Sequence, residues 1–186
     1  RLSRRAVRSC FKRDNWDAVT ANQLFGYYDL LALRHQEWCP TDVISEMRTK
    51  QKILENKLSI GEIKSSSILL RMHYDKIRKD SLYSRMKILL PGSPWIPVDS
   101  SFGGLGIYKP WIFENYDYDL EKSSVKGECE HVTLHSKVIS SKGKIFINPS
   151  LINNFINTYN MNKIFFIRQI RELFWNSRVY RLIKNR

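Results

Sequence analysis

The chain has 186 residues, 42% of them hydrophobic and 12% aromatic with five Trp, which is enough for one real core and too apolar for a disordered segment. No run of about 18 apolar residues is present, so the sequence holds no transmembrane helix, and no stretch reads as a signal peptide. A net charge of +13, with a pI near 9.8, raises nucleic acid, anionic lipid or a phosphate-bearing ligand as partners.

That charge is unevenly spread. Residues 1–98 carry 18 Lys and Arg against 10 Asp and Glu, residues 161–186 carry 7 against 1, and residues 99–160 carry 6 against 7. The segment richest in candidate chemistry is therefore not the basic one, which argues against a pure nucleic-acid reading. Cys10, Cys39 and Cys129 form no C-x-x-C pair, which suits free thiols in a reducing compartment. The expected location is cytoplasmic, with membrane association as a further option.

Residues 1–13 are basic, with Leu2, Ala6, Val7 and Phe11 at roughly helical spacing, and read as an amphipathic helix end. Asp14-Asn15-Trp16-Asp17 is a turn or N-cap signal. The apolar run that follows is broken at Gly26, and a strand is expected over residues 28–33. Asp29 lies inside that run, where a buried carboxylate needs a partner; Arg34 is nearby, and the pair reads equally as structural or substrate-binding. Trp38 to Asp42 is a loop ending in a helix cap. Surface helices are expected over residues 43–57 and 65–81. Residues 82–90 alternate and then turn apolar like a strand, and Pro91-Gly92-Ser93-Pro94 is a turn.

The stretch from Asp99 to His135 concentrates the chemistry. Phe102-Gly103-Gly104-Leu105-Gly106 lets a backbone turn sharply and approach a ligand closely, although paired glycines are also common in plain turns. It leads into a short strand over residues 106–108. Asp117 and Asp119 form a D-x-D that could bind a divalent metal through oxygen, yet no apolar strand precedes it and Lys122 and Ser123 point to a loop. Gly127-Glu128-Cys129-Glu130-His131, with His135 one helical turn on, supplies acids, bases or metal ligands. If residues 128–136 are helical, Glu128, His131 and His135 share a face and Glu130 projects elsewhere. Acids in a first turn also complement the helix dipole with no chemistry attached. Residues 144–149 read as a strand ended by Asn-Pro, and residues 160–185 as a basic amphipathic helix that packs on the fold or meets an anionic membrane.

Taken in order, WDAVTANQLFGYYDLLALRH, YSRMKILLPGSPWIPVDSSFGGLGIYK, GECEHVTLH and KIFINP resemble the C-terminal half of a GT-A type glycosyltransferase. The likeness is to bacterial and viral sugar transferases and, more distantly, to fungal capsule-associated mannosyltransferases. It covers about residues 14–150. It implies an α/β fold, a mixed sheet flanked by helices, with residues 1–160 as the acceptor or catalytic part and residues 161–186 as a basic helix. It implies transfer from a nucleotide-diphosphate sugar to a hydroxyl of a glycan or lipid-linked acceptor, with Mn²⁺ or Mg²⁺ as cofactor. Gly103, Gly104 and Gly106 look like the glycine loop against the donor sugar. Glu128 or Glu130 looks like the acidic member that serves as general base in inverting enzymes, and Glu130 is favoured. Asp99, Asp29, Arg34 and Trp95 would line the donor–acceptor cleft, and His131 or His135 would help hold the metal. The family places a nucleotide-binding half with its own D-x-D ahead of this region. The stretch before Asp14 is too short to hold it, so the expectation is a fragment, a split gene product or a degenerate protein. The alternative is a non-catalytic basic protein that binds RNA or an anionic membrane surface.

Overall fold

The computed structural model describes residues 2–61, 66–118 and 129–154. The elements in chain order are α1 (Arg4–Cys10), β1 (Ala18–Gln23), α2 (Val43–Ser59), α3 (Ser67–Ser81), a 3₁₀ turn (Tyr83–Arg85), β2 (Ile96–Val98), β3 (Gly106–Tyr108), α4 (Trp111–Asn115), α5 (Glu130–Ser140) and β4 (Ile145–Asn154). The four strands form one sheet in the order β2-β4-β1-β3. The central pair, β1 and β4, runs parallel, and the two short edge strands are antiparallel to their neighbours. The fold is therefore α/β with a mixed sheet flanked by helices.

The first strand is β1, not the expected run over residues 28–33, which here is a sequence of turns. All six residues of β1 are buried, as in parallel strands covered on both faces. Val19 and Ala21 pack with Ala6, Cys10, Trp16 and Leu151 under α1. The opposite face carries Thr20, whose Oγ1 lies 2.6 Å from Ser101 Oγ. Polar side chains made this strand inconspicuous, yet each pins a loop. Asn22 Nδ2 donates to Leu89 O and Pro149 O, both at 2.9 Å, and Gln23 Oε1 accepts from the Tyr28 amide at 3.2 Å. Conversely, residues 28–33 are apolar because Leu30, Ala32 and Leu33 are buried as a loop.

Residues 82–90 likewise form no ladder. They begin in the 3₁₀ turn and then run alongside the chain after β1, with Lys87 O accepting from the Tyr27 amide at 2.8 Å. The last strand does not stop at Asn148-Pro149. Thr20 pairs with Ile147 and Asn22 with Ile152, so an irregularity absorbs the proline and β4 continues, the setting in which a central strand tolerates a residue without an N–H.

The surface helices form as expected, with sharper starts. Asp42 caps α2 by accepting from the Ser45 amide at 2.7 Å, and Ser66 caps α3 through the Leu69 amide. The helix expected over residues 128–136 is α5, which begins at Glu130 behind Cys129. Its buried residues Val132, Leu134, His135 and Val138 follow helical spacing toward the sheet. Among the described residues, no helix is long and apolar enough to cross a membrane. The basic helix expected over residues 160–185 lies outside the described residues.

Candidate functional site

Three segments far apart in sequence meet beside the C-terminal end of β1. The first is the loop after β1, carrying Tyr27 and Asp29. The second is the glycine turn. The third is the first turn of α5. Asp29 Oδ2 accepts from the Gly103 amide at 2.8 Å, and the Tyr27 hydroxyl accepts from the Phe102 amide at 3.3 Å. The Phe102 ring then stacks on the His131 imidazole, with centroids 3.8 Å apart and planes 18° from parallel.

The glycines have identifiable reasons. Gly103 has φ +68°, and a Cβ there would run into the Ala21 carbonyl oxygen and come within 2.9 Å of Gln23 Nε2. Its carbonyl accepts from Asn153 Nδ2 at 3.3 Å, while the Ala21 amide donates to Leu105 O at 2.9 Å. The close approach that glycine permits at residue 103 is therefore to strand β1. Gly104, with φ +80°, is the exposed member at the tip. Gly106 starts β3, where a Cβ would strike the Tyr108 ring.

Asp29 does not pair with Arg34. The Arg34 guanidinium bonds Asp42 at 3.1 Å and the carbonyls of Leu31 and Leu33 instead. It ties the loop to the α2 cap, so the Asp29–Arg34 expectation is corrected. Burial holds the Asp29 carboxyl above its ordinary range. The Gly103 amide, His131 and the Ala32 amide favour its anion, and Glu130 pushes the other way. Asp29 and Glu130 are thus close enough to sense each other's charge. Glu130 is the accessible carboxylate, its side chain 45% exposed against 12% for His131, and its Oε1 lies 3.7 Å from His131 Nε2.

Behind this corner His135 is fully buried. Its Nδ1 lies 2.9 Å from Ser100 Oγ and its Nε2 3.1 Å from the Tyr108 hydroxyl. Burial, with His131 nearby, depresses it to about 3, so it is neutral at ordinary pH. His131 is also lowered by burial, against the carboxylates of Glu130 and Asp29; its Nδ1 faces the Tyr118 hydroxyl at 3.2 Å.

His135 has no nitrogen open to a divalent metal. Both nitrogens of His135 are engaged by hydroxyls, and among the described residues no three His, Cys, Asp or Glu side chains gather as a ligand set. Asp117 is exposed, and Asp119 and Glu128 lie outside the described residues.

The other expected cleft residues stand apart. Trp95 packs on Phe146 with centroids 6.0 Å apart and lies under the Arg13 guanidinium at 4.6 Å, in the cluster on the α1 face. Asp99 is exposed and lines a separate groove of about 550 Å³ with His35, Glu37, Pro97 and Lys144. The structure thus gathers Asp29, Gly103, Glu130 and His131, with His135 behind them, and not Trp95, Asp99 or Arg34. Tyr27, Ser100, Tyr108 and Tyr118, which are not among the residues expected from the sequence, hold the corner together. The signal for Tyr27 was its place two residues before Asp29. No protein-family model, curated protein or solved structure matches the chain.

Proposed function

We propose that this chain is the acceptor-side part of a GT-A type glycosyltransferase, moving a sugar from a nucleotide-diphosphate donor to a hydroxyl of a glycan or lipid-linked acceptor. The observation that supports this most is the meeting of Asp29, the glycine turn and the Glu130–His131 corner. These belong to three of the four segments that carry the resemblance, and nothing in their sequence separation requires them to touch.

The roles divide by exposure. Asp29 is spent on the Gly103 amide and positions the turn. Glu130 is open to a ligand and is the general base. It takes the proton from the acceptor hydroxyl as that oxygen bonds to the anomeric carbon. The bond from that carbon to the donor phosphate breaks, and the nucleoside diphosphate leaves with the electron pair. His131, beside Glu130 and clamped between Phe102 and Tyr118, orients the carboxylate.

The test is a transfer assay on the protein as its native source makes it, with a panel of nucleotide-diphosphate sugars and Mn²⁺ present. Glu130→Gln is expected to lower turnover about 100-fold or more with an unchanged circular dichroism spectrum. Equal turnover by this variant sinks the base assignment, and no transfer from any donor sinks the reading as a whole.

A further inference from the structure

The α2–α3 hairpin carries a surface that the transfer reading does not use. Its helices run antiparallel. Lys50 Nζ reaches Ser81 Oγ at 3.0 Å, and Glu55 Oε1 accepts from the Tyr74 hydroxyl at 3.2 Å. Away from those bonds, Ile60 follows the end of α2 and Ile68 lies in the first turn of α3. There Ile60 is 69% exposed, Ile68 73% and Met72 62%, with Leu69 and Ile53 also exposed. Of the thirteen large hydrophobic residues exposed among the described residues, these five lie on this hairpin, so the exposure is concentrated rather than scattered.

Spacing aligns them. Ile53 in α2 and Ile60 just past its end lie seven residues apart, with Lys57 between them, and Ile68 and Met72 are one turn apart on α3. Charge surrounds the ridge. The described hairpin exposes seven Lys and Arg against three acids, with Lys57 and Arg71 closest to the apolar tip. Aliphatic residues at the end of a basic helical pair match the interface of an anionic bilayer, where apolar burial and attraction to acidic headgroups add. A single-stranded nucleic acid would instead call for exposed aromatic platforms, and the exposed large residues of this hairpin are all aliphatic.

We propose that the tip of the α2–α3 hairpin docks the protein on an anionic phospholipid surface, through Ile60, Ile68 and Met72 flanked by Lys57 and Arg71. This goes beyond the transfer reading and stands without it, since lipid docking needs no sugar donor.

The test is co-sedimentation of the whole chain with vesicles of phosphatidylcholine alone and with about one third phosphatidylserine. Binding is expected on the anionic vesicles only, weakened by added salt. The triple variant Ile60→Ser, Ile68→Ser, Met72→Ser keeps every charge and should lose about tenfold or more in partitioning. Lys57→Gln with Arg71→Gln should lose the preference for anionic vesicles. A second triple variant in the basic stretch 161–186, Arg168→Gln, Arg171→Gln, Arg178→Gln, should retain a dependence on Ile60, Ile68 and Met72. The proposal is overturned by absence of vesicle binding or by binding indifferent to the serine variant. It is also overturned if RNA displaces the vesicles and binds through Lys57 and Arg71 with no contribution from the three apolar residues.

Discussion

The corner around Gly103 and the α2–α3 hairpin use their side chains in opposite ways. At the corner, backbone amides, a carboxylate and ring stacks are spent inward, and β1 is buried along its whole length. On the hairpin, Val43 and Leu54 are the buried residues of α2, and α3 buries Ser81 at its end. Sheet-side positions are therefore fixed by packing that leaves no slack, whereas the hairpin is fixed by caps and inter-helix pairs and leaves its outer faces exposed. Substitutions should sort accordingly: large structural effects at the corner, small ones on the hairpin.

Among single substitutions, the largest loss of stability is expected from Gly103→Ala. The positive φ costs roughly 1–2 kcal/mol for a residue with a Cβ, and the collision with the Ala21 carbonyl adds to it. A total of about 3 kcal/mol or more should appear as a lowered urea midpoint. Stability within about 1 kcal/mol of wild type would mean that the turn can leave β1 freely.

The next effect is acid sensitivity. A buried neutral His135 held near 3 has a folded-state pKa below its unfolded value of about 6.5. Below pH 6.5 the unfolded chain binds a proton that the folded one refuses. Stability is thus fully present above about pH 6.5 and falls by about 1.4 kcal/mol per pH unit toward pH 3. Urea midpoints measured across that range should decline for wild type and less steeply for His135→Gln. Equal slopes would contradict the buried neutral state.

Asp42→Ala should cost about 1–2 kcal/mol, since it removes both the α2 cap and the Arg34 ion pair. Thermal melts measure it, and a loss near zero would show that Arg34 finds the Leu31 and Leu33 carbonyls sufficient. On the hairpin, Ile68→Ser should change stability by no more than about 0.5 kcal/mol. A larger loss would mean the ridge is packed rather than presented.

How much of this was legible in the sequence follows the same division. The helices expected over residues 43–57 and 65–81 were legible through their period, and the first also through its cap at Asp42, because local chemistry decides them. Strand β1 did not, since Thr20, Asn22 and Gln23 are polar residues whose partners sit elsewhere in the chain. Leu30, Ala32 and Leu33 misled in the opposite sense, being buried without joining a strand. In the corner, the residue types at Asp29, Gly103, Glu130 and His131 singled themselves out. Their partners did not: Arg34 looked like the mate of Asp29 by proximity in sequence, while the Asp42 carboxylate eight residues on holds it. Trp95 and Asp99 flank the glycine turn in sequence and diverge from it in space, because β2 carries them toward the other edge of the sheet.

The most direct measurement is an NMR titration of the isotope-labelled chain with nucleotide-diphosphate sugars and simple methyl glycosides, followed at the backbone amides. Shifts are expected to begin at Gly104 and at Glu130–His131, spread to Gly103, and disappear from the corner in Asp29→Asn. Shifts confined to the groove of His35, Pro97, Asp99 and Lys144, with the glycine turn and the start of α5 unmoved, would contradict it.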